Sequence, residues 1–333
     1  MTKTKTTDMD KDDTIEVAQL IDNVIQPFQL EVSSLRGRVV RLGSTLDDIL
    51  TAHDYPKPVA HLVAEIATLA LLLSSMLKYD GIFTLQTKGD GPINMLVADV
   101  TSDGKVRACA TFDEERVETA RAHLSALKTP EGSDHHLAQF LGAGYIAFTV
   151  DQGEHMERYQ GIVELQGASL VDSVRHYFNQ SEQIGTAVKM AVGQRDGKWR
   201  GSGVMLQHMP EDDKNPALGE TNLDEDDWRR AMILLDSCTE DEFLDPQLDH
   251  NSLLMRLFHE EGVRVYAPIM ATKECRCSAE RVENMLLMMP AEDREYMHEN
   301  GEISMRCEFC GTDYAFDFAA IERRVKDNEN TSS

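Results

Sequence analysis

Four of the six cysteines in this chain lie in two short pairs near its C-terminal end. The first pair is Cys275 and Cys277, the second is Cys307 and Cys310, and 29 residues separate the pairs. Four thiolates match the ligand number and the soft donor type that tetrahedral Zn²⁺ prefers. Each pair fits on a turn, so two turns can close on one ion while the middle segment loops out. The pattern predicts one Zn²⁺ per chain, bound by these four cysteines.

Other interpretations of the cysteines are less favoured. Four cysteines at ligand spacing are seldom inert by chance, and permanent disulfides are rare in a reducing compartment. His259 and His298 could replace a thiol as ligands, but with four thiols available we expect both to be surface histidines. Cys109 lies in a strand pattern and Cys238 on a helix, and both are expected to be small buried apolar residues.

The segment that carries the cysteines, 271–318, is too short to hold itself together by apolar burial alone. Structural zinc contributes roughly 10–16 kcal/mol of apparent binding free energy in small domains, and this energy is also folding energy. Oxidation of the thiolates to disulfides would destroy the ligands. The segment is therefore predicted to be either a redox switch, folded when reduced, or a purely structural zinc module that binds a partner.

Composition narrows the class of protein. The chain has 333 residues, enough for about two domains, and a net charge of −25 that disfavours a nucleic-acid surface. Residues 271–318 carry eleven Asp and Glu against five Lys and Arg, so the zinc module shows no basic face either. No run of 18 apolar residues predicts a membrane span, and the N-terminus lacks the apolar core of a secretory signal. We expect a cytoplasmic protein.

Periodicity predicts an α+β fold with a mixed α/β core domain. The short helices and the cysteine pairs that follow predict a metastable helical linker and a small zinc-binding redox-switch domain. Strand meanders alternate with helices without a regular βα order up to about Pro210. The stretch 211–227 then holds eight acids and one lysine in seventeen residues, which is typical of a solvated linker. The predicted boundaries are 1–27 (mobile extension), 28–210 (core), 211–270 (acidic and helical linker), 271–322 (zinc-binding domain) and 323–333 (tail).

Local signals predict where several helices begin and end. A long core helix should follow the turn "HDYPKP" and end at Gly81, and the helix before that turn should be capped by Ser44 or Thr45. Capping boxes are predicted at Ser169 with Asp172 and at Thr239 with Glu242. "GAGYIA" and "KGDGP" lack the context of nucleotide-binding loops, and no nucleophile-and-base signature occurs, so an enzyme is not predicted.

Three short helices are predicted in the linker, at "WRRAMILLDSC", "TEDEFLD" and "SLLMRLFHEE". Helices of this length need a surface to pack on, so their apolar faces must dock on the core or on the zinc module. Unfolding of the zinc module should release these faces for binding to other proteins, because they would lose part of their support. The candidate binding residues are Trp228, Met232, Leu235, Leu253, Leu257 and Phe258.

Nearly the whole chain from about Arg36 onward resembles the redox-regulated holdase chaperones of the thirty-three-kilodalton heat-shock protein family. The resemblance rests on "ILTAHDYPKPV", "KGDGPINMLV", "GAGYIAFTV", "ERYQGIVELQG", "YFNQSEQ", "RLFHEEGVRVY" and the ending "CRC…CEFCGTDYAF". The long N-terminal extension and the acidic insert after Pro210 depart from the family pattern.

This resemblance implies an ATP-independent chaperone that is inactive when reduced and zinc-bound. Oxidative stress with heat would release zinc, unfold the linker and produce the active form, commonly a homodimer. That form would hold unfolding client proteins until ATP-dependent chaperones refold them. The resemblance also implies disulfides between sequence neighbours, Cys275 with Cys277 and Cys307 with Cys310.

Overall fold

The computed structural model describes residues 22–33, 35–126, 136–153, 156, 158–178, 185–208 and 225–331. The chain divides into two compact units, Met1–Lys273 and Glu274–Ser333. The predictions for residues 1–21 and for most of the acidic insert lie outside the described residues.

The first unit contains twelve strands and eight α-helices within the described ranges. The strands are β1 (Val24–Leu30), β2 (Arg36–Leu42), β3 (Ile82–Gly89), β4 (Ile93–Thr101), β5 (Lys105–Phe112), β6 (Gly144–Asp151), β7 (Tyr159–Glu164), β8 (Thr186–Arg195), β9 (Lys198–Gln207), β10 (Val263–Val265), β11 (Ile269–Met270) and β12 (Thr272–Lys273). The helices are α1 (Ser44–Thr51), α2 (Lys57–Ser74), α3 (Glu114–Ala126), α4 (His136–Leu141), α5 (Leu170–Tyr177), α6 (Glu225–Ser237), α7 (Glu240–Leu244) and α8 (His250–Phe258), and a 3₁₀ turn covers His259–Glu261.

These strands form two sheets. The first has the order β10-β1-β2-β9-β8, with β11 also pairing with β1, and the second has the order β12-β5-β4-β3-β6-β7. The described pairings are antiparallel except for β12 with β5, which is parallel. The predicted α+β class is confirmed.

Helix α2 lies between the two sheets and fills the main core. Fourteen of its 18 residues are buried, and the cluster around it draws on both sheets. Close packing depends on glycine in β9, because a Cβ at Gly201 would lie 2.3 Å from Thr68 Oγ1. Among the described helices α2 alone is long and apolar enough to span a membrane, but 78% of that stretch is buried, as in a core helix.

The other face of the first sheet is covered by α6, α7 and α8, which form a second core. Successive residues alternate between the two cores, as strand geometry requires: Val40 faces α2, whereas Val39 faces the three short helices. Four further apolar side chains of β1 and β9 line this second face. They are Phe28, Leu30, Val204 and Leu206.

The three linker helices and both capping boxes are confirmed. Ser169 Oγ accepts a hydrogen bond from the Asp172 backbone N–H, and Thr239 Oγ1 does the same for Glu242. The helices pack within the first unit instead of forming a separate segment, because the sheet face beneath them is as apolar as their own buried side.

Two predicted helix ends are wrong. Helix α2 ends at Ser74 and not at Gly81, and the hydroxyls of Ser74 and Ser75 bond back to carbonyls of the last turn. Neither Ser44 nor Thr45 caps α1. The cap comes from Asn23 instead, whose Oδ1 accepts hydrogen bonds from the Gly43 and Thr45 backbone N–H groups at 2.9 and 3.0 Å.

Two predicted boundaries also differ from the structure. Strand β1 begins at Val24, four residues before the predicted start of the core, because Val24 and Ile25 pair with Arg41 and Val40. At the other end, residues 318–331 form a helix that covers most of the predicted tail.

Candidate metal centre

The second unit is a small three-stranded sheet with three helices. Its strands are β13 (His298–Glu299), β14 (Glu302–Arg306) and β15 (Asp313–Asp317), in the order β13-β14-β15, and its helices are α9 (Ala279–Met288), α10 (Ala291–Met297) and α11 (Phe318–Thr331). Its fully buried apolar side chains, among the residues that the structure describes, are Leu286, Ile303 and Ile321. So small a core predicts that the unit needs a further crosslink.

The first cysteine pair precedes α9 in a segment without regular secondary structure. Helix α9 begins immediately after it, because Ser278 is the N-cap and its Oγ accepts a hydrogen bond from the Arg281 backbone N–H at 3.2 Å. Cys275 and Cys277 are therefore held next to a fixed helix start, and both are half-buried.

The second pair occupies the turn between β14 and β15. The Cys307 backbone N–H donates to the Thr312 carbonyl at 2.9 Å, and the Gly311 N–H donates to the Cys307 carbonyl at 2.8 Å. Gly311 has a φ of 69°, a left-handed conformation that glycine adopts without strain. This closed turn directs Cys307 and Cys310 to the same side.

The four sulfur atoms form one cluster, all within 4.8 Å of one another. Cys275 Sγ lies 3.3 Å from Cys277 Sγ and 3.6 Å from Cys307 Sγ, and Cys277 Sγ lies 3.4 Å from Cys310 Sγ. A tetrahedral ion with metal–sulfur bonds of about 2.3 Å separates its ligands by about 3.8 Å. The observed sulfur–sulfur distances are too long for disulfide bonds. They are close to the spacing of a tetrahedral site, so the four sulfurs fit a tetrahedral metal ion.

Two hydroxyl groups lie against this cluster. Tyr314 donates its hydroxyl hydrogen to Cys277 Sγ at 3.1 Å, and the Thr312 hydroxyl lies 3.2 Å from Cys310 Sγ. Burial raises the pKa of the Cys277 thiol to about 12, although the hydrogen bond from Tyr314 opposes this rise. Burial also raises the pKa of Cys310, but hydrogen bonds from Thr312 and neighbouring thiols outweigh it and bring that pKa to about 6. A bound cation would therefore be needed to keep Cys277 as a thiolate at neutral pH.

The other cysteines and the two histidines considered from sequence lie outside this cluster. The His298 ring stacks on Phe318 with centroids 4.4 Å apart, so it is not simply a surface histidine. His259 is exposed in the first unit, 3.8 Å from a Glu260 carboxylate oxygen. Cys109 and Cys238 are both buried, and burial raises the pKa of Cys238 to about 11.

The six candidate client-binding residues lie in the second core of the first unit. Trp228 and Met232 are partly buried there, and the other four are buried against the sheet. An ion pair also joins α6 to the residues that follow α8. Arg230 Nε on α6 donates to the buried Glu261 carboxylate at 2.5 Å. In this arrangement the described apolar faces of the linker helices are covered.

Sequence reasoning missed two features of these sites. The Tyr314 hydroxyl could have been suspected from its place four residues after the last cysteine. Arg41, on the sheet face beneath the linker helices, is only 1% exposed, and its Nη2 donates to the Asp245 carbonyl between α7 and α8 at 2.5 Å. Its strand pattern alone gives no sign that an arginine is buried there.

Comparison with known proteins covers most of the chain. The family model described as Hsp33 protein matches residues 23–317. The chain belongs to the Hsp33 family. A relative named 33 kDa chaperonin from Caulobacter vibrioides is 38% identical over 303 residues, covering 90% of this chain and 96% of that protein. Another of the same name from Escherichia coli (strain SMS-3-5) is 35% identical over 290 residues, covering 87% of this chain and 90% of that protein.

A solved structure supports the same fold. The crystal structure of the 33 kDa chaperonin (Hsp33 homologue) from Thermotoga maritima superposes with a TM-score of 0.74 and 19% identity. The superposition covers 92% of this chain and 99% of the Thermotoga maritima chain. The mixed sheets and helices of this Hsp33 family member are thus a fold that it shares with that structure.

Proposed function

We propose that this protein is a redox-regulated holdase, a chaperone that binds unfolding proteins without ATP. The observation that carries the proposal is the cluster of four reduced sulfurs within 4.8 Å of one another in a member of the Hsp33 family. In the reduced state Cys275, Cys277, Cys307 and Cys310 would hold one Zn²⁺. The bound ion would supply a crosslink between the two cysteine pairs, and its binding energy would also be folding energy for the second unit.

Activation is proposed to follow oxidation of the four ligands. Two thiolates of a pair give up two electrons to peroxide, an S–S bond forms, and the peroxide takes two protons to become two molecules of water. The proposed pairs are Cys275 with Cys277 and Cys307 with Cys310. Each disulfide closes a very short loop, so the two together do not replace a crosslink that spans the 29 residues between the pairs.

The linker helices are the proposed client-binding elements. Strand β12 ends two residues before Cys275, so the chain leads directly from the cysteine pair back to the strands that follow α8. Helices α6, α7 and α8 have 13, 5 and 9 residues, and helices this short are marginal unless they are packed. We propose that unfolding of the second unit is coupled to their release. The apolar faces freed would include Trp228, Met232, Leu235, Leu253, Leu257 and Phe258.

Other parts of the proposal concern partners and compartment. The oxidised protein is proposed to be a homodimer that passes its clients to ATP-dependent refolding chaperones in the cytoplasm. A net charge of −25 makes nucleic acid and anionic membranes poor partners. The second candidate function, a protein-binding module with a purely structural zinc site, is favoured by the regular β14–β15 turn, which needs no switching role.

One experiment separates these two functions. Bound zinc and suppression of client aggregation are measured together on the same protein, before and after peroxide treatment at elevated temperature. We expect one zinc per reduced chain, and simultaneous zinc loss and onset of protection after oxidation. The Cys307→Ser/Cys310→Ser variant should lose stoichiometric zinc, whereas Cys109→Ala, outside the cluster, should retain it. Equal protection by reduced and oxidised protein would favour the purely structural module.

A further inference from the structure

The Tyr314 hydroxyl connects the two halves of the sulfur cluster without passing through a metal. Tyr314 lies on β15, where it pairs with Met305 of β14, so its position is fixed by the hairpin that carries Cys307 and Cys310. Its hydroxyl nevertheless donates to Cys277, a member of the other pair, 37 residues earlier in the chain. This contact is therefore a direct link between the CxC segment and the CxxC hairpin.

We propose that Tyr314 is a positioning residue that holds Cys277 in the metal-binding arrangement and slows its reaction with electrophiles. The inference rests on the proposed metal centre and adds a control on its reactivity. The proposed effect is confined to the Cys277 sulfur. The Tyr314 hydroxyl bonds to Cys277, whereas a different hydroxyl, that of Thr312, lies against Cys310.

The chemistry of this hydrogen bond gives both effects. Hydrogen bonds to an ionised acceptor are stronger than those between neutral groups, so the O–H group favours Cys277 as a thiolate, the form that binds metal. The same bond draws electron density from the sulfur, and nucleophilicity of a thiolate falls as its basicity falls. The Tyr314 hydroxyl is the donor of this bond, 3.1 Å from Cys277 Sγ, and the pairing of β15 with β14 fixes the position of its residue.

The apolar packing of the second unit does not account for Tyr314. The described core side chains around Leu286, Ile303 and Ile321 include Phe316 and Phe318 from the same stretch but not Tyr314. The Tyr314 side chain is half-buried, with its polar atom turned to sulfur. Tyr314→Phe removes that atom and keeps the ring, so it tests the hydrogen bond with little change in packing.

The test compares reduced wild type, Tyr314→Phe and Tyr296→Phe, the last at a site that is 92% exposed in the same unit. Zinc affinity is measured by competition with a chromophoric chelator. Outer-shell partners of metal ligands are typically worth about 10–100-fold in affinity, so Tyr314→Phe should weaken zinc binding at least about 10-fold. Tyr296→Phe should match wild type.

A second readout is specific to one sulfur. Iodoacetamide alkylates a thiolate by forming an S–C bond with loss of iodide, and mass spectrometry of peptides gives the rate at each cysteine. In the zinc-loaded protein, where the ion would keep the sulfurs ionised, loss of the hydrogen bond should make the Cys277 sulfur more nucleophilic. Its rate should rise about threefold in Tyr314→Phe, with little change at Cys310. A general loosening of the unit would accelerate all four cysteines alike.

The outcomes are distinct. Tighter zinc binding in wild type than in Tyr314→Phe, with selective labelling of Cys277, supports the inference. Two outcomes overturn the inference and leave the metal centre intact, provided that wild type binds zinc. In one, Tyr314→Phe binds zinc as tightly as wild type; in the other, the labelling rates of all four cysteines rise alike. Wild type that binds no zinc overturns the proposed metal centre itself, and the inference with it.

Discussion

Phe258 is the side chain whose removal should release the linker helices without touching the cysteines. It is the last residue of α8, it is fully buried, and its ring stacks on Phe28 of β1 with centroids 6.1 Å apart and an interplanar angle of 25°. Phe258→Ala removes the ring from the second core and leaves a cavity. Met255, three residues earlier on the same helix and 54% exposed, provides the matched control as Met255→Ala.

The expected magnitude follows from burial. Replacing a buried Phe by Ala costs about 3–5 kcal/mol, the sum of lost transfer energy and the cavity that remains. Since about 1.4 kcal/mol corresponds to a tenfold change in an equilibrium, the population of undocked α8 should rise about 100- to several-thousand-fold. Met255→Ala removes an exposed side chain and should change stability by less than about 0.5 kcal/mol.

Hydrogen exchange and client protection, both on the reduced protein, test this prediction. Amide protection across α8 should fall by the factor above in Phe258→Ala and stay at the wild-type level in Met255→Ala. Reduced Phe258→Ala should suppress aggregation of a heat-unfolding client while it still carries zinc. Unchanged protection in α8 would refute the packing argument. Lost protection without any client binding would show that the linker helices are not the client-binding elements.

Three further predictions concern the same layer of helices. Arg41→Met should destabilise the first unit by about 1–3 kcal/mol in urea unfolding, because it removes the ion-pair partner of Asp22 and leaves the Asp245 carbonyl without its donor. A higher urea midpoint would contradict this prediction. Thr239→Ala should cost about 1 kcal/mol in the same assay, through loss of the cap on α7, and an unchanged midpoint would refute that role. Hydrogen bonding from the Thr239 backbone N–H lowers the pKa of Glu242, so the ionised Glu242 carboxylate stabilises the folded state at neutral pH, and this stabilisation is lost as pH falls below about 4.3. Between pH 7 and pH 3 the urea midpoint should therefore fall less in Glu242→Gln than in wild type.

Features set by neighbouring residues were predictable from the sequence. The spacing of the cysteines identifies the four sulfurs that the structure brings together, and the pairs Ser169 with Asp172 and Thr239 with Glu242 identify two helix starts. In each case the residues that determine the feature are a few positions apart or share a strong donor chemistry. Short spacing or residue type therefore carries the signal in each case.

Features set by distant residues were not predictable in this way. The cap of α1 comes from Asn23, 20 residues before the Gly43 N–H that it accepts, and only the pairing of β1 with β2 brings them together. The Tyr314 hydroxyl reaches Cys277 across 37 residues by the folding of one hairpin. Arg41 is buried because helices more than 180 residues later cover its strand. Periodicity indicates that a strand has two faces but does not show what covers each one.

The two faces of the first sheet differ in how easily they can be uncovered. One face packs on α2, an 18-residue helix with fourteen buried residues that also contacts the second sheet, so its loss would destroy the whole first unit. The other face is covered by three short helices, with the buried charge of Arg41 beneath the α7–α8 connection. Short helices depend on packing, and a buried charge regains hydration when its cover leaves. The free energy needed to undock the helices is therefore smaller than that of global unfolding. A partial opening that bares apolar surface while α2 stays in place is the low-energy response of this fold.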